Sequence, residues 1–328
     1  MRIHRKTVAA ISASIVVAAL AVGLVLLMPD HGTPSTPAPA SSPKTLLSPF
    51  TGEPVASLGP VIAVKVDNIA QARPQTGLSG ADMVYVLPVE GGLSRFLAVF
   101  SSHVPPIIGP VRSAREDDLE LLRQFGRPAF AYSGAQPRLL PVVERARIVD
   151  LYSGRMGGYF RDHRRVAPYN LYARGGQLRA EAKNASRAHD IGFRFGPAPA
   201  GGRLAASESV SYPAASFTFT WSAAKGRWLV RMDGARALAT DDGQFSAATV
   251  VIQYTIVRKS RFIEWGALPP YAESVGSGRA VVLRNGRAYS AQWSRPSAGE
   301  GTTFSMLSGQ PMTFARGPVW VVLAAGRG

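Results

Sequence analysis

The chain has 328 residues, 46% of them hydrophobic, and a formal net charge of +16 from 37 Lys and Arg against 21 Asp and Glu. It contains no cysteine, which excludes disulfides, thiolate metal sites, a cysteine nucleophile and a lipid-modified cysteine. Length and apolar content suit two domains with real cores; 31 of the 37 cations are arginine, which reflects either genomic composition or contact with anions such as lipid headgroups, anionic wall polymers or peptidoglycan carboxylates.

Arg2, Arg5 and Lys6 precede an uncharged run from Thr7 to Met28 that is long enough to cross a bilayer as a helix. No small-residue cleavage site follows closely, so residues 1–28 read as a basic flank and an uncleaved signal-anchor, with a cleaved signal as the alternative. The positive-inside rule keeps the flank in the cytoplasm and turns the main domains outward across the cell membrane. Residues 29–45, rich in Pro, Ser, Thr and Ala, read as a disordered tether. The outward topology and the lack of a basic-aromatic motif argue against nucleic acid as a partner.

Strands are expected at 60–68, 82–90 and 94–101, the last two joined at Gly91-Gly92. Ser113 and Glu116 have the spacing of a capping box, and Leu119, Leu121, Leu122 and Phe125 have helical spacing, which predicts a helix over 113–125. A strand at 129–132, a helix near 136–146, a strand at 147–152, a polar loop over 153–173 and a helix over 175–188 complete an α/β layer lobe spanning 46–195. Residues 196–208 read as a linker. Beyond it lies a mostly β lobe, 209–328, with strands at 216–221, 227–232, 248–258, 279–284, 287–293 and 318–324 and a type I′ turn at Asn285-Gly286. The fold class is α+β, two lobes behind a single transmembrane helix.

Arg112 and Arg115 flank the expected helix start, where positive charge is unfavourable unless an internal carboxylate or a bound anion compensates it. Ser113 lacks any nucleophile motif and reads as the N-cap. Asp67 and Asn68 close the first strand, where ligands bind in α/β sheets and where Asx-turns also occur. Glu90 beside Arg95 suits either a general acid or a turn-fixing ion pair. His103, His163 and His189 lack metal-ligand spacing, and no metal or cofactor is expected. The segment 159–172 carries Arg161, Arg164 and Arg165 among four aromatics. This composition suits a sugar or phosphate, or a loop whose arginines pair with Glu90 and Asp67.

The order VIAVKVDNIAQARPQTGLSGADMVYVLPVEGGLSRFLAVF, IIGPVRSARE and RVAPYNLYA, followed by GSGRAVVLRNGRAYSAQWSR and RGPVWVVL, closely resembles the YerB-type bacterial envelope proteins. The resemblance covers about residues 47–325 and implies a two-domain extracytoplasmic protein, usually a lipoprotein. The family pattern emphasises Asp67, Asn68, Arg73, Gln75, Gly77, Asp82, Glu90, Gly91, Arg95, Gly109, Pro110, Arg112, Ser113, Arg115, Pro168, Asn170 and Tyr172. This chain lacks the lipobox cysteine, and its segment 259–278 departs from the pattern.

Three readings follow. The first is a membrane-anchored module that binds an anionic or carbohydrate cell-wall ligand, with Arg73, Arg95, Arg112 and Arg115 on the anion, Asp67, Glu90 and Asn170 orienting it, and Asn68, Gln75, Ser113 and Tyr172 in the same pocket. The second is a wall glycan hydrolase or transferase, with Glu90 as the acid and Asp67 assisting. The third is an envelope scaffold acting through the β lobe.

Overall fold

The computed structural model describes residues 45–263 and 266–326. The basic flank, the apolar run and the tether up to residue 44 lie outside the described residues. Among the described residues, no helix is long and apolar enough to cross a membrane. The chain from Thr45 onward forms one compact unit.

Its first half contains β1 (Ile62–Asp67), β2 (Met83–Pro88), β3 (Ser94–Phe100), β4 (Ile107–Ile108), α1 (Glu116–Leu122), β5 (Ala129–Tyr132), α2 (Leu140–Glu144), β6 (Val149–Tyr152), β7 (Tyr159–Arg161), β8 (Leu171–Arg174) and α3 (Gly175–Glu181). The second half is all β: β9 (Arg203–Leu204), β10 (Ser207–Tyr212), β11 (Ala215–Ser222), β12 (Arg227–Met232), β13 (Ala235–Arg236), β14 (Ser246–Ala247), β15 (Thr249–Thr255), β16 (Val257–Lys259), β17 (Pro270–Ala272), β18 (Gly276–Arg284), β19 (Arg287–Arg295), β20 (Thr303–Met306) and β21 (Val319–Ala325). The molecule is therefore mostly β with few, short helices.

One mixed sheet of eleven strands runs in the order β20-β19-β18-β15-β21-β2-β3-β1-β5-β6, with β9 on β19. The last strand, β21, lies parallel to both β2 and β15, so the sheet is continuous from the N-terminal into the C-terminal half. β1, β2 and β3 are buried along their whole length, which is why their sequences read as unbroken apolar runs rather than alternations. A five-stranded sheet, β10 to β14, covers one face, with Phe217 and Trp320 edge-on to Phe96. On the other face Phe125 packs against Phe50 and Tyr85. The turn at Asn285-Gly286 forms as expected, with φ of 51° and 71°.

Several expected elements differ: the linker expected over 196–208 holds β9 and the start of β10, the strand expected over 248–258 divides into β15 and β16, and the helix expected over 175–188 is α-helical only to Glu181. The stretch 153–173 is not a plain loop: β7 and β8 pair there, and β4 joins them in a three-stranded sheet. The helix expected over 113–125 is α-helical only from Glu116 to Leu122, then 3-10 to Phe125. Residues 110–114 are held extended, because Pro110 accepts from Asp67 N–H, Arg112 donates its N–H to the Lys65 carbonyl, and Ala114 donates to Gly134. The N-cap is Arg115 rather than Ser113. The carboxylate that reaches back to the cap is Asp118, accepting from Arg115 N–H at 2.7 Å.

This shift frees Glu116 for another task. Its carboxylate accepts from Ser260 Oγ (2.7 Å), Arg261 N–H (2.9 Å) and Arg261 Nε (2.6 Å). Glu120 accepts from Tyr271 OH (2.7 Å), Ser274 N–H (2.8 Å) and Ser274 Oγ (2.9 Å). The acidic helix thus fastens the 260–274 segment of the second half to the first. Asp118 meets Lys65 Nζ at 2.6 Å, and both side chains are fully buried. Asp117, also buried, accepts among the described residues only a long bond from Ala272 N–H (3.4 Å); burial, and then the charge of Asp118, push its carboxyl pKa up.

Removing one partner of a buried ion pair leaves the other charge uncompensated in a poorly solvated site. Lys65→Met is expected to lower unfolding free energy by about 3–5 kcal/mol, measured by urea denaturation. A loss under about 1 kcal/mol would mean that Asp118 does not depend on Lys65.

Candidate functional site

The site lies where β1, β5 and β6, mutually parallel, reach their carboxyl ends. In α/β sheets this edge forms the ligand crevice. β1 ends in Asp67-Asn68, and Glu90 follows β2 in a one-turn 3-10 helix over Glu90–Gly92. Gly92 has φ of 71°, and a Cβ there would come within 2.7 Å of Pro213, so only glycine fits this turn. Arg95 opens β3, and the extended 110–115 segment brings Arg112 and Arg115 to the same edge.

Glu90 sits between two guanidiniums. Its Oε1 accepts from Arg95 Nη2 at 2.9 Å and from Arg115 Nη2; its Oε2 accepts from Arg115 Nε at 2.9 Å. Burial alone would raise its pKa. The Arg115 hydrogen bonds, with the charges of Arg95 and Arg115, outweigh burial and hold it at about 2. Burial, and then the charge of Arg115, bring Arg95 down to about 10, still charged at neutral pH. Asp67 is the second carboxylate: its Oδ2 lies 2.9 Å from Arg112 Nε and its Oδ1 3.8 Å from Arg95 Nε. Its Oδ1 also accepts from Asn68 N–H at 2.9 Å and, at 3.5 Å, from Ile69 N–H, the Asx-turn contact. The internal carboxylates thus compensate the arginines at the helix start, and the N-terminus of α1 is closed by its own Asp118.

The two acids meet on one guanidinium, that of Arg95. Glu90 is ionised at neutral pH and cannot give up a proton there, so the arrangement does not provide the protonated carboxyl that a glycan-cleaving acid pair requires. Its chemistry is that of a buried, charge-balanced brace.

Several other sequence-identified residues support this brace without facing open space. Asn68 donates to Ser94 Oγ at 2.9 Å. Gln75, fully buried, donates to the Asp67 carbonyl and Asn68 Oδ1, both at 3.1 Å. Arg73 donates to the Asn68 carbonyl at 2.8 Å and pairs with Asp233 of the second half at 2.7 Å. Tyr172 is buried elsewhere: it stacks on Phe160, faces Arg165 and abuts Gly109, and it lines a separate cleft with Thr76 and Thr240. Asn170 does not touch Asp67 or Glu90. Its Oδ1 accepts from Arg161 Nη1 at 2.7 Å, and its Nδ2 donates to the Arg165 carbonyl. The loop arginines do not pair with Glu90 and Asp67 either: Arg164 pairs with Asp162, and Arg165 donates to the Ala72 and Pro74 carbonyls.

Of the four arginines expected on the anion, Arg112 is the one that faces an open cleft. With Asp67 on its Nε and Tyr169 beneath its plane, its terminal nitrogens have no hydrogen-bond acceptor among the described residues. The cleft, about 530 Å³, is lined by Arg112, Arg161, Ser113, Ser133, Ser153 and the aromatic rings of Tyr159 and Phe160. Arg161 is one of the arginines whose aromatic surroundings in 159–172 suit a sugar or phosphate, whereas Ser133 and Ser153 were missing from the expected site. The serines directly follow β5 and β6, so the carboxyl-end rule applied to those two predicted strands identifies them. Among the described residues, no cluster of His, Asp and Glu could hold a metal ion.

The N-terminal domain model of the DUF3048 proteins of unknown function matches residues 50–189, and the C-terminal domain model of that family matches 209–321. YerB of Bacillus subtilis (strain 168), which is named as a lipoprotein, is 45% identical over 98 residues, a stretch spanning 29% of each protein. The crystal structure of the Bacillus subtilis YerB protein superposes with a TM-score of 0.72 at 20% identity, covering 86% of this chain and 97% of that one, which shows a shared fold.

Glu90→Gln removes the carboxylate charge that Arg95 and Arg115 share and is expected to lower stability by about 3 kcal/mol at pH 7. A carboxyl whose folded pKa is about 2 stabilises fully above its unfolded value near 4.5, and that contribution is lost as pH falls toward 2. The gap between wild type and variant therefore closes across this window in urea denaturation followed at several pH values. A gap that is constant with pH would show that Glu90 is not the ionised centre of the brace.

Proposed function

This chain belongs to the two-domain DUF3048 family of YerB-type proteins, and we propose that it is a membrane-anchored cell-envelope protein that holds an anionic or carbohydrate cell-wall ligand in the Arg112–Arg161 cleft. A relative named as a lipoprotein supports the envelope location. The apolar run 7–28 behind Arg2, Arg5 and Lys6 supports a single-pass anchor, cytoplasmic at its N-terminus, in place of a lipid on cysteine.

The observation that carries the ligand reading is the state of Arg112. Its Nε is fixed on the buried Asp67, and its fork end is left with open donors beside a second guanidinium, Arg161, that Asn170 holds. Guanidinium forks recognise carboxylate and phosphate in bidentate fashion, and the rings of Tyr159 and Phe160 suit a sugar face. Arg95 and Arg115 act one layer deeper, keeping Arg112 in place rather than touching the ligand.

With the full-length protein in detergent micelles, Arg112→Ala and Arg161→Ala are each expected to weaken retention on purified cell wall about tenfold, the scale of one lost charge-assisted hydrogen bond, while Arg187→Ala, exposed elsewhere, changes little. Equal retention by all three variants would contradict the cleft.

A further inference from the structure

Ser113 stands at one edge of the Arg112 cleft. The same serine lines a second cleft, about 660 Å³, whose walls carry Gln136, Arg138, Arg261 and Phe262. Arg261 is 75% exposed, yet Glu116 fixes its Nε at 2.6 Å, so this guanidinium stands in a set position at the surface. Arg138 is exposed, and its side chain has no acceptor among the described residues. Each cleft thus presents two arginines, and the two clefts share Ser113.

We propose that the two clefts form one groove for a linear polyanionic chain, a glycan or polyol with anions at regular intervals, which engages both arginine pairs at once. This rests on the Arg112 cleft being a ligand site. A single small anion needs only one guanidinium fork. A second pair along a continuous groove adds affinity for a ligand long enough to reach it, because the second contact is then intramolecular.

The test titrates full-length protein in detergent micelles with glycerol phosphate, with glycerol-phosphate oligomers of increasing length, and with oligogalacturonates of matching length. The expected result is a gain of at least about tenfold from monomer to long oligomer. Arg138→Ala/Arg261→Ala abolishes that gain and leaves monomer binding intact. Arg187→Ala/Arg316→Ala, which removes the same charge elsewhere, keeps it. Whether the phosphate or the carboxylate series shows the gain decides the anion, and either supports the groove. Monomer binding that depends on Arg112 but shows no gain with length would overturn the groove alone. An equal loss in both double variants would overturn it in favour of diffuse basicity. Absence of binding by every probe would remove the groove and the cleft reading together.

Discussion

Glu90 holds two buried arginines, and the site edge of the molecule is organised around that contact. Arginine does not shed its charge in a protein, so Arg95 and Arg115 can be buried only beside an ionised partner. The carboxylate comes from the turn after β2, one guanidinium from the start of β3, the other from the entrance to α1. A single side chain therefore ties three segments that are separate in sequence. Asp67 extends the arrangement outward by touching Arg95 on one oxygen and Arg112 on the other. Charge is balanced inside, and what remains for solvent or a ligand is the outer end of Arg112.

A second set of buried charges joins the halves of the family. Every carboxylate of α1 faces inward or across to the 260–274 segment, and Lys65, fully buried on β1, meets Asp118. Together with β21 inserted between β2 and β15, this makes the two matched domains parts of one body. The segment 259–278, which departs from the family pattern in sequence, is the one that α1 holds. Its contacts run through backbone N–H groups and small hydroxyls as much as through distinctive side chains, and such contacts leave a weak sequence signature.

The inner strands were legible because two-sided burial writes an apolar run, and the hairpin at Asn285-Gly286 because few residues tolerate positive φ. The arginine–acid cluster was legible as a composition, with partner choice left open: proximity of Glu90 to Arg115, 25 residues apart, is set by tertiary packing. The helix start was misplaced because the Ser113–Glu116 spacing fits a capping box locally, while long-range bonds to Lys65 and Gly134 keep 110–114 extended. β7 and β8 were hidden because they are only three and four residues long and each ends in an exposed arginine, too short to show an apolar alternation. The place of β21 in the sheet depends on pairing with residues more than 230 positions away, which no local pattern encodes.

The account separates inner arginines that brace the fold from outer arginines that meet a ligand. The most direct test is nitrogen NMR of the arginine Nε groups in the full-length protein as glycerol phosphate is added. The account predicts that the Arg112 and Arg161 signals move with saturation while those of Arg95 and Arg115 stay fixed. Movement of Arg95 and Arg115, or no movement at Arg112 and Arg161, would contradict it.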